Sequence, residues 1–186
     1  MKVTVLGLGY VGSVASAALA RSGHEVLGLD IQRGVAEDLG KGRVVGFEPG
    51  LTELLEKGLE SGRLQFAHVD DGDRGQAALV LVCVGTPSLS TGSANLTYVR
   101  SALQWAVEHE PNAVAVVMKS TVPPGTGLRL STQYLEGTGI EYVSNPEFLR
   151  EGNAVHDWAH PDRIVIGAST QRATDCVKEL YGDVHA

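Results

Sequence analysis

Gly7-Leu8-Gly9-Tyr10-Val11-Gly12 is the stretch on which the reading of this chain turns. It follows a short β-branched apolar run, Met1–Leu6, and opens a segment with small residues at helical spacing, Tyr10–Ser22, which carries Ala15, Ala17, Ala18 and Ala20. A turn that passes directly from strand to helix beneath a ligand needs glycine at these three places. Gly7 permits the tight turn, Gly9 lets the main chain approach a pyrophosphate, and Gly12 lets helix and strand pack closely. The free N–H groups at the start of the helix then face the phosphates. A second strand, Glu25–Leu29, runs into Asp30, 18 residues beyond Gly12. There a carboxylate accepts hydrogen bonds from the hydroxyls of an adenosine ribose. The bland alternative is a tight strand–helix turn in some other doubly wound protein; motif, context and acid together favour a dinucleotide site.

Asp30 also bears on the cofactor. A carboxylate repels a 2′-phosphate, which favours NAD over NADP. Arg33 is the counter-signal, because an arginine close by can hold that phosphate. A second glycine pattern, Gly34 through Gly40-Lys41-Gly42, imitates a P-loop. It has five residues between the glycines where four are needed, lacks Ser or Thr after the lysine, and follows no strand. It reads as the end of a surface helix.

Beyond this start, strand and helix patterns alternate. Helical spacing marks Thr52–Leu59, Leu96–Val107 (with Asn95 or Ser93 able to cap it), Gly127–Leu135 and Thr170–Tyr181. Apolar runs mark strands at Ala78–Val84, Ala113–Met118, Ile140–Val143 and Arg163–Ile166. Ala78–Val84 is apolar without interruption, as in a strand buried on both faces. The pattern predicts an α/β fold: a Rossmann-like doubly wound, mostly parallel sheet with helices on both faces, in a single domain spanning 1–186. Asp70–Gln76 reads as a polar, solvated turn.

Composition narrows the partners. Twenty-two acidic and 15 basic side chains give a net charge of −7, against a polyanion-binding surface and so against nucleic acid. No run approaches the ~18 apolar residues of a membrane span. There is no secretory signal pattern, and Cys83 and Cys176 stand far apart with no CxxC; both points are expected of a cytoplasmic protein with reduced thiols. His156 and His160 are four apart, but a metal site needs a third ligand, and no metal is expected.

In an open parallel sheet, ligands bind beyond the carboxyl ends of the strands. Three loops follow apolar runs there: Val84-Gly85-Thr86-Pro87, Lys119 to Thr126, and Ser144 to Gly152. Each offers hydroxyls or carboxylates on a backbone stiffened by Pro or Gly, although such loops mostly just make turns.

Taken in order, the blocks Gly7–Gly12, Gly23-His24-Glu25-Val26, Glu48-Pro49-Gly50-Leu51, Val84–Pro87, Gly92-Ser93-Ala94-Asn95-Leu96, Ser120–Thr126, Asn145–Gly152 and Pro161-Asp162-Arg163 resemble the N-terminal domain of the UDP-glucose/GDP-mannose 6-dehydrogenase family. The resemblance runs from Met1 to about Gly167. It implies a two-step, NAD-dependent oxidation of the C6 alcohol of a nucleotide-linked hexose to a carboxylate. It also implies roles by position. Gly7, Gly9, Tyr10, Val11, Gly12, Asp30, Arg33, Val84, Gly85, Thr86, Pro87, Ser120, Thr121 and Glu151 would contact NAD. Glu147 would act in acid/base chemistry and in hydrolysis of a covalent intermediate, with Thr121 positioning water. Glu147, Phe148, Leu149, Arg150 and Glu151 would line the path of the sugar nucleotide.

Two departures accompany the resemblance. Val35 stands where the family usually has Lys or Arg, five residues after the ribose acid. The family's cysteine nucleophile and its lysine belong to a region without counterpart in these 186 residues, and so does the long helix through which the family forms homodimers. The expectation is therefore a cofactor-binding portion that is not catalytically complete by itself, a monomer being compatible with it. The alternatives are a stand-alone NAD-binding module without catalysis, and a smaller dehydrogenase using this domain's groups alone. The third is disfavoured because hydride transfer needs a substrate wall.

Overall fold

The computed structural model describes residues 1–44, 46–71, 76–182 and 184. The elements are β1 (Lys2–Leu6), α1 (Tyr10–Arg21), β2 (Glu25–Asp30), α2 (Arg33–Leu39), α3 (Leu51–Glu60), β3 (Leu64–His68), β4 (Leu79–Val82), α4 (Thr97–His109), β5 (Ala115–Met118), α5 (Thr126–Leu130) running on as a π-helical turn (Ser131–Leu135), β6 (Glu141–Ser144), α6 (Ala154–Ala159) and α7 (Gln171–Tyr181). The six strands form one sheet in the order β3-β2-β1-β4-β5-β6, and all five neighbouring pairs are parallel. This is the Rossmann order, with its reversal between β1 and β4.

Alternation along the strands divides the core. Val3, Val5, Leu79, Leu81, Ala115 and Val117 pack on one face under α1, α2, α3, α6 and α7. Leu6, Val80, Val82, Val116 and Met118 pack on the other under α4 and α5. The four residues of β4 are all buried, as the uninterrupted apolar run predicts. Each such aliphatic side chain contributes roughly 1.5–3 kcal/mol on leaving water. Helix α1 is buried from Gly12 to Ala20, which only a helix of small residues permits. Its serine hydroxyls are satisfied locally: Ser13 Oγ donates to Gly9 O at 2.9 Å and Ser16 Oγ to Gly12 O at 2.7 Å.

Register places the functional edge. Leu6 lies opposite Leu29 and Val82, Val82 opposite Met118, and Met118 opposite Ser144. The carboxyl ends of five strands therefore line up, and the loops beginning at Gly7, Ile31, Cys83, Lys119 and Asn145 leave from one rim.

Two local readings change. Residues 163–166 are not a strand. Ser144 and Gly167 make an isolated antiparallel bridge, and the Val165 carbonyl accepts from Asn145 Nδ2 at 2.7 Å instead of joining a ladder. Ile164 and Ile166 pack on the core, which is the source of the alternation seen in the sequence. Conversely, Leu64-Gln65-Phe66-Ala67-His68 is the edge strand β3, paired on one side only, to β2. The expected helices otherwise form within a few residues of their predicted ends. Asn95 serves the start of α4 by accepting from Thr97 N at 3.0 Å. Residues 72–75 of the polar turn lie outside the described residues. No helix among the described residues is long and apolar enough to cross a membrane.

Candidate functional site: a dinucleotide cradle and a neighbouring cleft

The glycine turn is shaped by sterics. Gly7 has φ +90°, where an L side chain is strained. A Cβ on Gly12 would stand 1.8 Å from Gly7 O, so no other residue fits while the turn keeps its shape. A Cβ on Gly9, by contrast, would meet nothing within 4 Å. The space over Gly9 is the open mouth of a cleft, where a ligand can come down onto the main chain. Helix α1 has no side-chain cap, so its first N–H groups remain for a ligand.

Asp30 is 9% exposed and closes the turn from β2. Its Oδ2 accepts from Leu8 N at 2.7 Å and its Oδ1 from Gln32 N at 2.8 Å. The ribose candidate thus also ties the glycine turn to the end of β2. Around it opens a cleft of ≈ 430 Å³ at the switch point between β1 and β4. Gly7, Gly9, Asp30, Val84 and Gly85 line it, and α4 closes it with Tyr98 and Trp105. The shape, the open glycine and the carboxylate fit an adenine dinucleotide. Arg33 is not among the residues that line this cleft and pairs with Asp71, on the loop after β3. That engagement opposes its use on a 2′-phosphate.

The loops after β4 and β5 are joined to each other. Ser120 Oγ donates to Val84 O at 2.7 Å and Thr86 Oγ1 to Thr121 O at 3.0 Å. Thr86, Pro87, Ser120 and Thr121 therefore form one bridged rim beside Val84 and Gly85, although none of the four lines either cleft.

A second cleft, ≈ 160 Å³, lies along the loop after β6. Glu147, Phe148, Leu149 and Arg150 line it, facing Trp158, Arg163 and Tyr181; Glu151 does not. Glu147 Oε2 accepts from Leu149 N at 2.6 Å, which holds the carboxylate over its own turn. Phe148 is half exposed, and Arg163 lies over its ring at 5.1 Å. Arg150 is engaged with Asp157: Nη2 donates to Oδ1 at 2.6 Å and Nε to Oδ2 at 3.0 Å. The guanidinium, with a further bond from the Arg150 amide, holds the Asp157 carboxyl far below the usual carboxylate range.

Three residues to which the sequence assigns no role hold this loop in place. Glu48 accepts from Gly152 N at 2.9 Å through Oε2 and from Val155 N at 3.1 Å through Oε1, capping α6 from about a hundred residues away. Lys119, 2% exposed, donates to Asn145 Oδ1 at 3.2 Å and to the Tyr181 hydroxyl at 3.1 Å. Its ammonium lies 5.2 Å from the Trp158 ring centre. Asp157 is the third. Glu48 belongs to one of the blocks that carry the resemblance, and Lys119 opens a loop singled out for its place beyond a strand; position marks both, but no local pattern gives their partners.

The thiols are quiet. Burial pushes Cys83 up to about 12, against the opposing pull of Lys119, and burial also raises Cys176. The rings of His156 and His160, on and after α6, lie 5.0 Å apart and are tilted by 50° to each other. Among the described residues no group of three or more His, Cys, Asp or Glu could hold a metal ion.

Comparison with known proteins agrees with this geometry. The model of the UDP-glucose/GDP-mannose dehydrogenase family, NAD binding domain, matches residues 1–185. UDP-glucose 6-dehydrogenase YwqF of Bacillus subtilis is 40% identical over 185 residues, covering 97% of this chain and 42% of the relative. UDP-glucose 6-dehydrogenase of Rhizobium meliloti is 42% identical, covering 97% and 43%. Among solved structures, a UDP-glucose dehydrogenase from the archaeon Pyrobaculum islandicum superposes with TM-score 0.88 at 40% identity, covering all of this chain and 44% of that one. A ternary complex of GDP-mannose dehydrogenase from Pseudomonas aeruginosa gives 0.89 at 32%, covering 100% and 45%. The chain thus spans less than half the length of these relatives. With the Rossmann order, the glycine cradle and the family match along nearly every residue, this chain belongs to the UDP-glucose/GDP-mannose dehydrogenase family and is its NAD-binding domain.

Proposed function

We propose that the protein works as an NAD-dependent nucleotide-sugar 6-dehydrogenase, acting on a substrate of the UDP-glucose or GDP-mannose class, and that these 186 residues supply its cofactor site and part of its proton-handling machinery. The observation that carries this reading is that both clefts open at loops leaving the carboxyl ends of the strands, with the glycine cradle in one and Glu147 in the other. Bound NAD+ would supply the hydride acceptor. The N–H groups opening α1, at Tyr10 and Val11, would bind the pyrophosphate above Gly7, Gly9 and Gly12, and Asp30 would accept from the ribose hydroxyls. The rim of Val84–Pro87, Ser120 and Thr121 would fix the nicotinamide end, with Glu151 close to it. Glu147 Oε1 would take up and return protons, since a held carboxylate within reach of water can act as a base at neutral pH. Thr121 would orient that water, and Phe148, Leu149, Arg150 and Glu151 would bound the sugar's path.

On this reading the chain is one domain of a homodimeric cytoplasmic enzyme. The burial of Cys83 favours a second reading for these residues taken alone: they bind NAD+ without turnover, because no activated thiol is present. Calorimetric titration with NAD+, with NADP+ as control, tests the cofactor assignment. Binding of NAD+ in preference to NADP+ is expected; binding of neither overturns the proposed site. Incubation with NAD+ and UDP-glucose, followed at 340 nm, tests the second reading: absence of turnover is expected of this chain by itself, and formation of NADH would overturn it.

A further inference from the structure

Among the described residues that line the dinucleotide cleft, one side chain is charged, that of Asp30. A phosphate monoester on the adenosine ribose would bring a charge of roughly −1.5 to −2 at pH 7, and the lining offers no cation to meet it. Arg33 is the basic residue placed to supply one. It opens α2, directly after Ile31 and Gln32, which line the cleft beside Asp30. Its guanidinium is committed to Asp71 instead: Nη1 donates to Oδ2, and Nη2 lies 3.5 Å from Oδ1. Both terminal nitrogens thus face both carboxylate oxygens, in the same fork by which an arginine grips a phosphate.

The pair joins the loops after β2 and β3, and the turn that carries Asp71 is braced. Val69, which lines the cleft, donates through N to Asp30 O at 3.1 Å and accepts through O from Trp105 Nε1 at 3.3 Å. His68 Nε2 donates to Ile31 O at 3.1 Å, and Asp71 N donates to His68 O at 2.9 Å. Main chain fixed against β2 and α4 therefore presents the Asp71 carboxylate to Arg33. Stability does not account for the pair. Its two side chains are 57% and 51% exposed, and ion pairs so exposed contribute little to folding. Its consequence falls on the charge available beside Asp30: an anion arriving there finds the guanidinium taken.

We propose that Asp71 is the positioning residue of Arg33 in cofactor choice: it holds the guanidinium off a latent 2′-phosphate site beside Asp30, so that two carboxylates, and not Asp30 alone, exclude NADP+. Asp30 repels the phosphate directly, and Asp71 withdraws the cation that would bind it. The inference rests on the assignment of Asp30 to the adenosine ribose made above.

The test is a double-mutant cycle in this chain, with Asp71→Ala and Arg33→Ala. It is read by calorimetric titration with NAD+, by displacement of bound NAD+ with NADP+ at low ionic strength, and by thermal melting. Asp71→Ala raises NADP+ affinity about fivefold, the upper end of what an exposed ion pair is worth, and leaves NAD+ affinity within twofold. In the Arg33→Ala background the same change alters NADP+ affinity less than twofold. The melting temperature of Asp71→Ala stays within about 2 °C of the unaltered chain's, as for other surface substitutions. An NADP+ affinity that Asp71→Ala leaves unchanged overturns the inference. An equal gain with Arg33 absent overturns it too, because the charge of Asp71 itself would then be the cause. A parallel change in NAD+ affinity does the same, since the pair would then be part of the cradle's framework. Failure of the unaltered chain to bind NAD+ instead overturns the cofactor site itself, and this inference with it.

Discussion

The two clefts lie on the same rim and are built by opposite means. The dinucleotide cradle is made of main chain, and its determinants are missing atoms: the Cβ atoms that Gly7, Gly9 and Gly12 lack. Its side-chain tie, Asp30 to Leu8 N, joins the turn after β1 to the end of the neighbouring strand β2. The cleft beside Glu147 is made of side chains that cross large sequence distances, Glu48 to Gly152 and Val155, Lys119 to Asn145 and Tyr181. A cradle defined by absent atoms should be ruined by additions. A loop held by tethers should be loosened by deletions.

The largest effect expected is at Gly12. Gly12→Ala places a carbon 1.8 Å from Gly7 O, and the obstacle is backbone that cannot swing aside. Roughly 3–5 kcal/mol of stability should be lost, the upper range for single substitutions, with NAD+ binding abolished. Urea unfolding measures the first and calorimetry the second. A variant that kept both would mean the turn relaxes at little cost, and the sterically defined cradle would be wrong. Next comes Lys119. Lys119→Ala empties a buried site and removes the bonds to Asn145 and Tyr181, at a cost of roughly 2–3 kcal/mol. Lys119→Met restores most of the volume without the charge, and buried charges replaced by apolar groups of similar size are often near neutral. If the two variants lose the same stability, the ammonium's bonds hold the loop; if Met recovers it, packing does.

Asp30→Ala should weaken NAD+ binding by about 1–3 kcal/mol. Because Leu8 N and Gln32 N lose their acceptor as well, the free chain should also unfold more easily in urea. An affinity equal to that of the unaltered chain would remove Asp30 from the ribose.

The same contrast explains what the sequence reveals. Sterically required glycines recur at fixed spacing next to the strand and helix they join, so the cradle is legible from six consecutive letters, and β4 from Leu79-Val80-Leu81-Val82. Residues 163–166 alternate for a packing reason, but whether a carbonyl joins a ladder depends on Asn145, some 20 residues earlier, and periodicity carries no such information. Edge strand β3 has one neighbour and a half-exposed composition, which blurs its alternation. Lys119 reads as part of a turn because lysines are seldom fully buried; its burial follows from Trp158 and Tyr181, which no local pattern ties to it. Glu48 has the same difficulty.

Smaller effects probe the tethers one at a time. Glu48→Gln keeps one acceptor of two at the start of α6 and should cost about 1 kcal/mol, the usual worth of a cap; urea unfolding that showed no change would mean Gly152 N or Val155 N finds water without loss. The smallest concerns acid. Asp157 has its carboxyl depressed in the fold, chiefly by the side chain of Arg150. The unfolded chain therefore binds a proton at Asp157 before the folded one does. Its contribution to stability is complete above the ordinary carboxylate value near 4 and is lost as pH falls toward the depressed one. Arg150 is 74% exposed, so solvent screens the pair and the loss is small. Comparing urea midpoints at pH 5 and pH 3 in the unaltered chain and in Asp157→Asn isolates it: the variant should fall less between the two. An equal fall would mean that Asp157 holds its loop no more tightly when charged than when neutral, and the tether from Arg150 would then be geometric and not electrostatic.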